Sequence, residues 1–395
     1  MLDLTRIRAE TPGVGHRIHL NNAGAGLLSD RTLRAVTGHL QLEAEIGGYE
    51  AHDLRHDVIE RTYLSLARLL GARREEIALF DNSTHAWNAA FYSIPFHPGD
   101  RILTGHAEYG SNVLAYLQTA RRRGVEIVVI PNDESGQIDV QALAERIDRR
   151  TRMIGLSHIP TSGGLVNPAA EVGRVAREAG VLYLLDATQT VGQLPLGVDE
   201  VGADLVTATG RKFLRGPRGT GFLYVRSSIL DRLDPFVNEI EASTWDGASG
   251  FTWHAGARRF ETWEHSYSTV LGLGSAVDQA LELGMKEIGE RAIALGARLR
   301  DGLDAISGVH THDLGSDRCA IVTASLDGVP AATFVEAIRS RGINVSQTNP
   351  EDNQFDERGV HPLVRLSPHY YNSEEEIDTA LGAIAEIAGG STPGA

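Results

Sequence analysis

Two short apolar pulses, each ending in a reactive group, constrain this chain most. Val181–Leu185 delivers a carboxylate, Asp186, at its end; after a connector, Ala203–Ala208 delivers Thr209, Gly210, Arg211 and Lys212. The run before them follows a rule. Met153–Ser157 is a predicted strand, Asn167-Pro168 opens a helix as N-cap and N1, Val172, Val175, Ala176 and Ala179 form its apolar stripe, and Gly180 closes it. Strand–helix–strand alternation with short connectors predicts an α/β fold with a mostly parallel sheet covered on both faces. Open sheets of that kind bind ligands beyond the carboxyl ends of their strands, so the acid and the amine are presented to one crevice.

The chain has 395 residues, enough for two packed lobes, and 42% apolar residues supply their cores. A formal charge of −15 argues against nucleic acid or an anionic membrane as a general partner. The single cysteine, Cys319, excludes an intramolecular disulfide and a multi-cysteine metal site, and no metal site is expected. MLDLTRIRAE lacks an apolar signal core and no apolar run approaches membrane length, which predicts a cytoplasmic protein.

Taken in order, residues up to about Gly15 read as an exposed arm. In Asn21–Gly26, NNAGAG, the small residues suit either a close approach of backbone to a neighbour or a plain turn. Ser29 begins a helix that Gly47-Gly48 interrupts, and Arg55–Leu70 forms the next. Glu76–Phe80 is a strand, and Ser83 or Thr84 caps the helix after it, whose exposed amides suit phosphate. Asp100–Thr104 is a strand with Tyr109 in the loop beyond, placed to stack on a flat ring or to pack. Gly216, Gly219 and Gly221 lack dinucleotide- or nucleotide-loop spacing and read as a turn feeding the strand Gly221–Val225. The stretch after Thr269 reads as a bridging helix and then a small α+β lobe, whose last helix has a capping box from Ser373 to Glu376. The expected units are 16–265, and 266–395 together with the arm 1–15.

A buried acid keeps a pyridine nitrogen protonated, and a lysine holds the same molecule's aldehyde as a Schiff base. Asp186 and Lys212 therefore point to pyridoxal 5′-phosphate, with Lys212 as covalent anchor.

Across nearly the whole chain the sequence resembles the fold-type I pyridoxal-phosphate enzymes, and among them the class V aminotransferase and cysteine desulfurase-like family. The resemblance is carried by NNAGAG, NSTHAWN, AEYGSN, SHIPTSGGLVNP, DATQ, TGRKFLRGPRGTG, ARRFETWE and VRLSPHYYNSEEEID, in that order. It implies a large domain with a mostly parallel seven-stranded sheet between helices, a smaller α+β domain, and a homodimer with shared active sites. It also implies roles. Lys212 would carry the cofactor and move the substrate Cα proton, and Asp186 would pair with the ring nitrogen. Gln189, helped by Thr161, would donate to the phenolic oxygen, and Tyr109 would stack on the ring. Ser83, Thr84 and His85, with Thr209 and Arg211, would hold the phosphate. Arg365 and Asn22 would face the amino-acid substrate, a bidentate guanidinium being suited to its carboxylate. His158 reads as fixing a loop.

Three departures from the family pattern stand out. Where desulfurases carry a nucleophilic cysteine in a loop, this chain has NPEDNQFDERGVHP, and Cys319 begins an apolar strand, so a desulfurase using its own cysteine is not expected. Arg211 replaces the histidine before the lysine. In ARRFETWEHS the usual threonine toward the partner's phosphate is replaced, with Thr262 or His265 as candidates. The expected reaction is C–S β-elimination on an S-substituted L-cysteine, releasing a thiol or sulfenate, pyruvate and ammonia. Glu43–Ala51 resembles such lyases, and the loop Asn349–Gly359 would take a bulky polar substituent. Transamination, isopenicillin-N-type epimerisation and decarboxylating deamination use the same Cα carbanion, and a non-catalytic cofactor-binding protein is the remaining alternative.

Overall fold

The computed structural model describes residues 2–349, 359 and 362–390. Its centre is a seven-stranded sheet built from β1 (Ile77–Phe80), β2 (Arg101–Gly105), β3 (Glu126–Ile130), β4 (Thr151–Ser157), β5 (Leu182–Asp186), β6 (Leu205–Thr209) and β7 (Gly221–Val225). The spatial order is β1-β7-β6-β5-β4-β2-β3. β7 runs antiparallel to both neighbours, and β6, β5, β4, β2 and β3 pair in parallel. The central strands β5 and β6 are buried along their whole length, as continuous apolar runs covered on both faces must be. One face packs Leu66, Val172 and Val277 against the sheet; the other packs Trp87, Phe91 and Tyr116.

Local chemistry sets the element ends. The helix Ala169–Ala179 buries Val172, Val175 and Ala176 and stops at Gly180, which sits in the left-handed region at φ 68°. Its N-cap is Pro168 rather than Asn167, because the Asn167 side chain is committed to the Ile138 N–H and the Ser157 carbonyl. The break at Gly47-Gly48 separates helices Asp30–Ile46 and Gly48–Leu70, the second starting earlier than the apolar pattern suggested.

A second sheet has the order Val309–Thr311, Val322–Leu326, Val364–Leu366, Ser346–Gln347, all antiparallel. Helices Met285–Asp304, Ala331–Ser340 and Glu374–Ala388 contribute to its core with Leu299, Phe334 and Ile377. The reciprocal Ser373–Glu376 capping box is present. Among the described residues no helix is long and apolar enough to cross a membrane.

NNAGAG makes a close approach. The Gly26 N–H donates to the Arg211 carbonyl, and a Cβ on Gly26 would lie 2.6 Å from the Lys212 carbonyl oxygen. The segment after the first short strand is thereby pressed against the loop that carries Lys212.

Candidate active site

The carboxyl ends of β1, β2, β4, β5 and β6 converge on one cavity, the place where an open α/β sheet binds its ligands. Asp186 and Lys212 both line it, with Ser83, Thr84, Tyr109, Thr161, Gln189, Thr209 and Arg211. Sequence-order neighbours on two adjacent strands thus become neighbours across one crevice.

Asp186 ends β5 and is buried. Its Oδ1 accepts from the Thr188 N–H at 2.9 Å and its Oδ2 from the Asn112 amide at 3.1 Å. Lys212 is buried as well, and its carbonyl accepts from the Arg215 N–H. Arg215 sits at φ 61°, a left-handed conformation costly for a side-chain-bearing residue. Its guanidinium holds that turn by donating to Leu27 O, Tyr370 Oη and Thr11 Oγ1.

The helix Ser83–Tyr92 points its first turn at the cavity. Its N-cap is Asn82, whose Oδ1 accepts from the His85 N–H at 2.8 Å; Ser83 and Thr84 are the first helical residues. The Ser83 hydroxyl meets Thr188 Oγ1 at 2.6 Å. β7 begins against this turn, since a Cβ on Gly221 would lie 2.5 Å from the Asn82 carbonyl carbon. His85 does not join the cavity wall. Its exposed ring meets Asp81 through Nδ1 at 2.9 Å, and its N–H is spent on the cap.

Arg211 donates to the Gly24 carbonyl, and no carboxylate among the described residues ion-pairs with it. Burial, with the charge of Arg218, holds its guanidinium below the usual arginine range. Thr209 Oγ1 is committed to the Thr220 carbonyl. Gln189 donates to Ala23 O and to Thr161 Oγ1, so its donor end is engaged and its Oε1 is buried without a partner. Arg365 stands behind the wall: it donates to the Thr161 carbonyl at 2.8 Å, to Thr161 Oγ1 at 2.7 Å and to Ser346 Oγ at 3.2 Å. Asn22 is not brought to the cavity. It is wholly buried between Ser367 O and the Tyr371 hydroxyl, where it joins the start of the chain to the second sheet.

Sequence reasoning missed Asn112, Ser157, Ile159 and Thr188, which also line the cavity. It missed Glu108 behind them, fully buried against Asn112 and Ser157. Little in the sequence signals it, since Glu108 lies in the loop just before the helix Gly110–Arg123. His158 fixes a loop as expected: its N–H donates to Asp186 O and its ring meets Thr190 Oγ1, and burial pulls it down to about 4. Of the two candidates in ARRFETWEHS, His265 lies 3.7 Å from Glu261, and neither it nor Thr262 lines the cavity. The loop Asn349–Gly359 lies, but for its two end residues, outside the described residues.

The donor set fits a phosphorylated pyridine. A helix start and Arg211 offer an anion site, Asp186 offers an acceptor for a ring N–H, and the orphaned Gln189 Oε1 offers one for a ring hydroxyl.

Comparison with known proteins agrees. The family model described as Aminotransferase class-V matches residues 18–380. A probable cysteine desulfurase of Methanothermobacter thermautotrophicus is 26% identical over 391 residues, 97% of this chain and 98% of that protein. The fold is that of a cysteine desulfurase from Thermococcus onnurineus NA1, solved in its apo form (TM-score 0.91, 22% identity, 99% of each chain). It is also that of a cystine C–S lyase solved with its product cysteine persulfide (TM-score 0.86, 24% identity, 95% of this chain and 99% of that one). These names correct one expectation. Setting aside enzymes that use a cysteine nucleophile does not stand, because the relatives are named cysteine desulfurases. Cys319 itself is buried, and burial pushes its thiol up to about 12.

Proposed function

The chain belongs to the class-V aminotransferase family, and on that premise we propose that it is a pyridoxal-phosphate enzyme cleaving the C–S bond of an S-substituted L-cysteine. The observation that carries this reading is the shared cavity, which Asp186, Lys212 and the start of the helix Ser83–Tyr92 all line. When bound, pyridoxal phosphate supplies an electron sink for charge that develops at the substrate Cα.

The chain's own residues do the rest. Lys212 would hold the cofactor through its amine and would serve as the general base for the substrate Cα proton. Asp186, fixed by Thr188 and Asn112, accepts the ring N–H and keeps that nitrogen charged. The first-turn amides at Ser83 and Thr84, with Arg211, bind the phosphate. Tyr109 and Gln189, which line the same cavity, would stack on the ring and bind its oxygen respectively. Arg365 turns from the Thr161 carbonyl toward the substrate carboxylate, an exchange of one acceptor for a charged and bidentate one. Exposed Leu33, Leu40, Tyr49 and Leu54, on the two helices that flank Gly47, support a homodimer that covers them.

The names of the relatives support cysteine desulfuration as the second reading. One assay separates the two. The loaded protein is given free cysteine, cystine and a panel of S-substituted cysteines, and pyruvate, alanine and released sulfur are followed. Pyruvate from the conjugates is expected. Alanine with sulfane sulfur from free cysteine, released as sulfide only when a thiol reductant is added, and no pyruvate, establishes the second reading; amino transfer to a keto acid without C–S cleavage overturns both.

A further inference from the structure

Behind Asp186 lies a second carboxyl group that the reading above does not use. Glu108 ends the loop after β2 and is wholly enclosed. Its Oε1 accepts from the Tyr109 N–H at 2.8 Å, from the Asn112 amide at 2.9 Å and from the Ser157 hydroxyl. Its Oε2 accepts from Thr104 Oγ1 at 3.1 Å and faces the Tyr116 hydroxyl at 3.5 Å. The same Asn112 nitrogen donates to Asp186 Oδ2 at 3.1 Å. One amide group, with one hydrogen for each, therefore spans two buried carboxyls.

We propose that Glu108 is a positioning residue for the cofactor's ring nitrogen, acting on it through Asn112 and Asp186. This deepens the pyridoxal-phosphate reading and rests on it.

Two physical effects run the same way. An Asn amide free to rotate could present its oxygen to Asp186 and repel it; Glu108 accepts from the nitrogen and so fixes the amide with its donor toward Asp186. A carboxylate enclosed by donors also places negative potential behind Asp186. That potential favours a cation at the ring nitrogen that Asp186 faces. Burial pushes the Glu108 carboxyl above the usual range and the hydrogen bonds from Ser157 and Asn112 oppose this. A core position with no ligand to serve would be filled at less cost by an apolar side chain. The Tyr109 N–H is fixed by the same Glu108 oxygen, so the aromatic residue on the cavity wall is set by this carboxyl as well.

The test uses the apo protein and two probes, pyridoxal phosphate and its 1-deaza analogue, which has carbon in place of the ring nitrogen. Affinity for each is measured by fluorescence quenching, and thermal melting of each apo variant checks folding. The wild type favours pyridoxal phosphate. Glu108→Gln and, independently, Asn112→Leu lower that preference by about tenfold or more, the worth of a hydrogen bond to a charged group. Thr104→Val, which removes one Glu108 donor but keeps the bridge, leaves it nearly unchanged. Folded Glu108→Gln and Asn112→Leu proteins that keep the full wild-type preference overturn the inference and leave the cofactor reading intact. A wild type that binds neither probe overturns the cofactor reading itself. Should Glu108→Gln not fold, the Asn112→Leu preference decides alone.

Discussion

Two buried acids in this molecule are held in different ways. Asp313, beside the second sheet, is clamped by a cation: Arg300 Nε donates to it at 2.7 Å, and both side chains are almost wholly enclosed. Its other oxygen accepts from Gly164 N–H, Thr323 N–H and Thr323 Oγ1, while Arg300 Nη2 donates to Cys319 O and Ile321 O. Asp186 takes its hydrogen bonds from an amide and a backbone N–H, and it borders a cavity. The first acid is matched within the fold and serves to join the SHIPTSGG loop to the second sheet. The second is supported by neutral donors and faces a space where a cation can arrive. The difference gives one acid its partner within the fold and leaves the other facing open space.

Removing a functional group should break the comparison most visibly. Lys212→Ala is expected to lose the visible absorbance of tightly held cofactor and at least about 10³-fold in C–S cleavage, the scale of a lost general base. Asp186→Asn should cost similar activity while thermal melting of the apo protein stays near wild type. If Asp186→Asn instead lowers apo stability as far as an Asp313 variant does, the two acids play the same part and the contrast fails.

The clamped acid gives the next largest effect. Arg300→Met leaves a buried, uncompensated Asp313 and should cost roughly 3–5 kcal/mol in denaturant unfolding. Cofactor affinity of the folded fraction should be retained. The double variant Arg300→Met/Asp313→Leu should recover much of the loss, since an apolar pair carries no stranded charge. Gly164 sharpens the case: a Cβ there would lie 2.4 Å from an Arg300 nitrogen, so Gly164→Ala should disturb the clamp and leave the cavity.

The strand ends that bear Asp186 and Lys212 were legible because continuous apolar runs allow little besides a buried strand. The order of the strands placed both at one edge of the sheet. Which of Asn82, Ser83 and Thr84 would cap the next helix was not legible, because all are competent and only the extended backbone at Asn82 decides. His85 was assigned to the phosphate although Asp81, four residues earlier, is placed to claim its ring. Glu108 escaped notice for a plainer reason. An acid in a loop reads as solvated, and its burial depends on Thr104, Tyr116 and Ser157 closing around it from two strands and a helix. The same limit hid Asn22, whose small neighbours suggested a ligand and whose partners, Ser367 and Tyr371, lie at the far end of the chain.

Acid should weaken the cavity side of the molecule more gradually. His158, bonded through its N–H to the Asp186 carbonyl, is held neutral by burial with its pKa lowered from 6.5 to about 4; His369 is lowered to about 3. Below pH 6.5 the unfolded chain binds protons that the folded one refuses. Each histidine's contribution is therefore full above that pH and is lost as pH falls toward its folded value. Melting temperature should fall from pH 6.5 to about 4, by up to roughly 1.4 kcal/mol of stability per pH unit for each group. His158→Gln should flatten part of that slope. An unchanged slope would mean that the imidazole is already charged in the folded state.

The smallest effect belongs to an ion pair that resembles the Asp313 clamp in geometry alone. Arg298 forms a bidentate pair with Asp378 at 2.7 and 2.8 Å, as close as the Arg300–Asp313 contact. Here both side chains stand about half in water, at 47% and 52% exposure. Solvent screens the attraction, and either charge left alone is simply hydrated. Asp378→Asn should leave the melting temperature within experimental error, at low salt and high. A loss approaching that of Arg300→Met would show that pairing geometry, and not enclosure, sets the cost of a stranded charge in this fold.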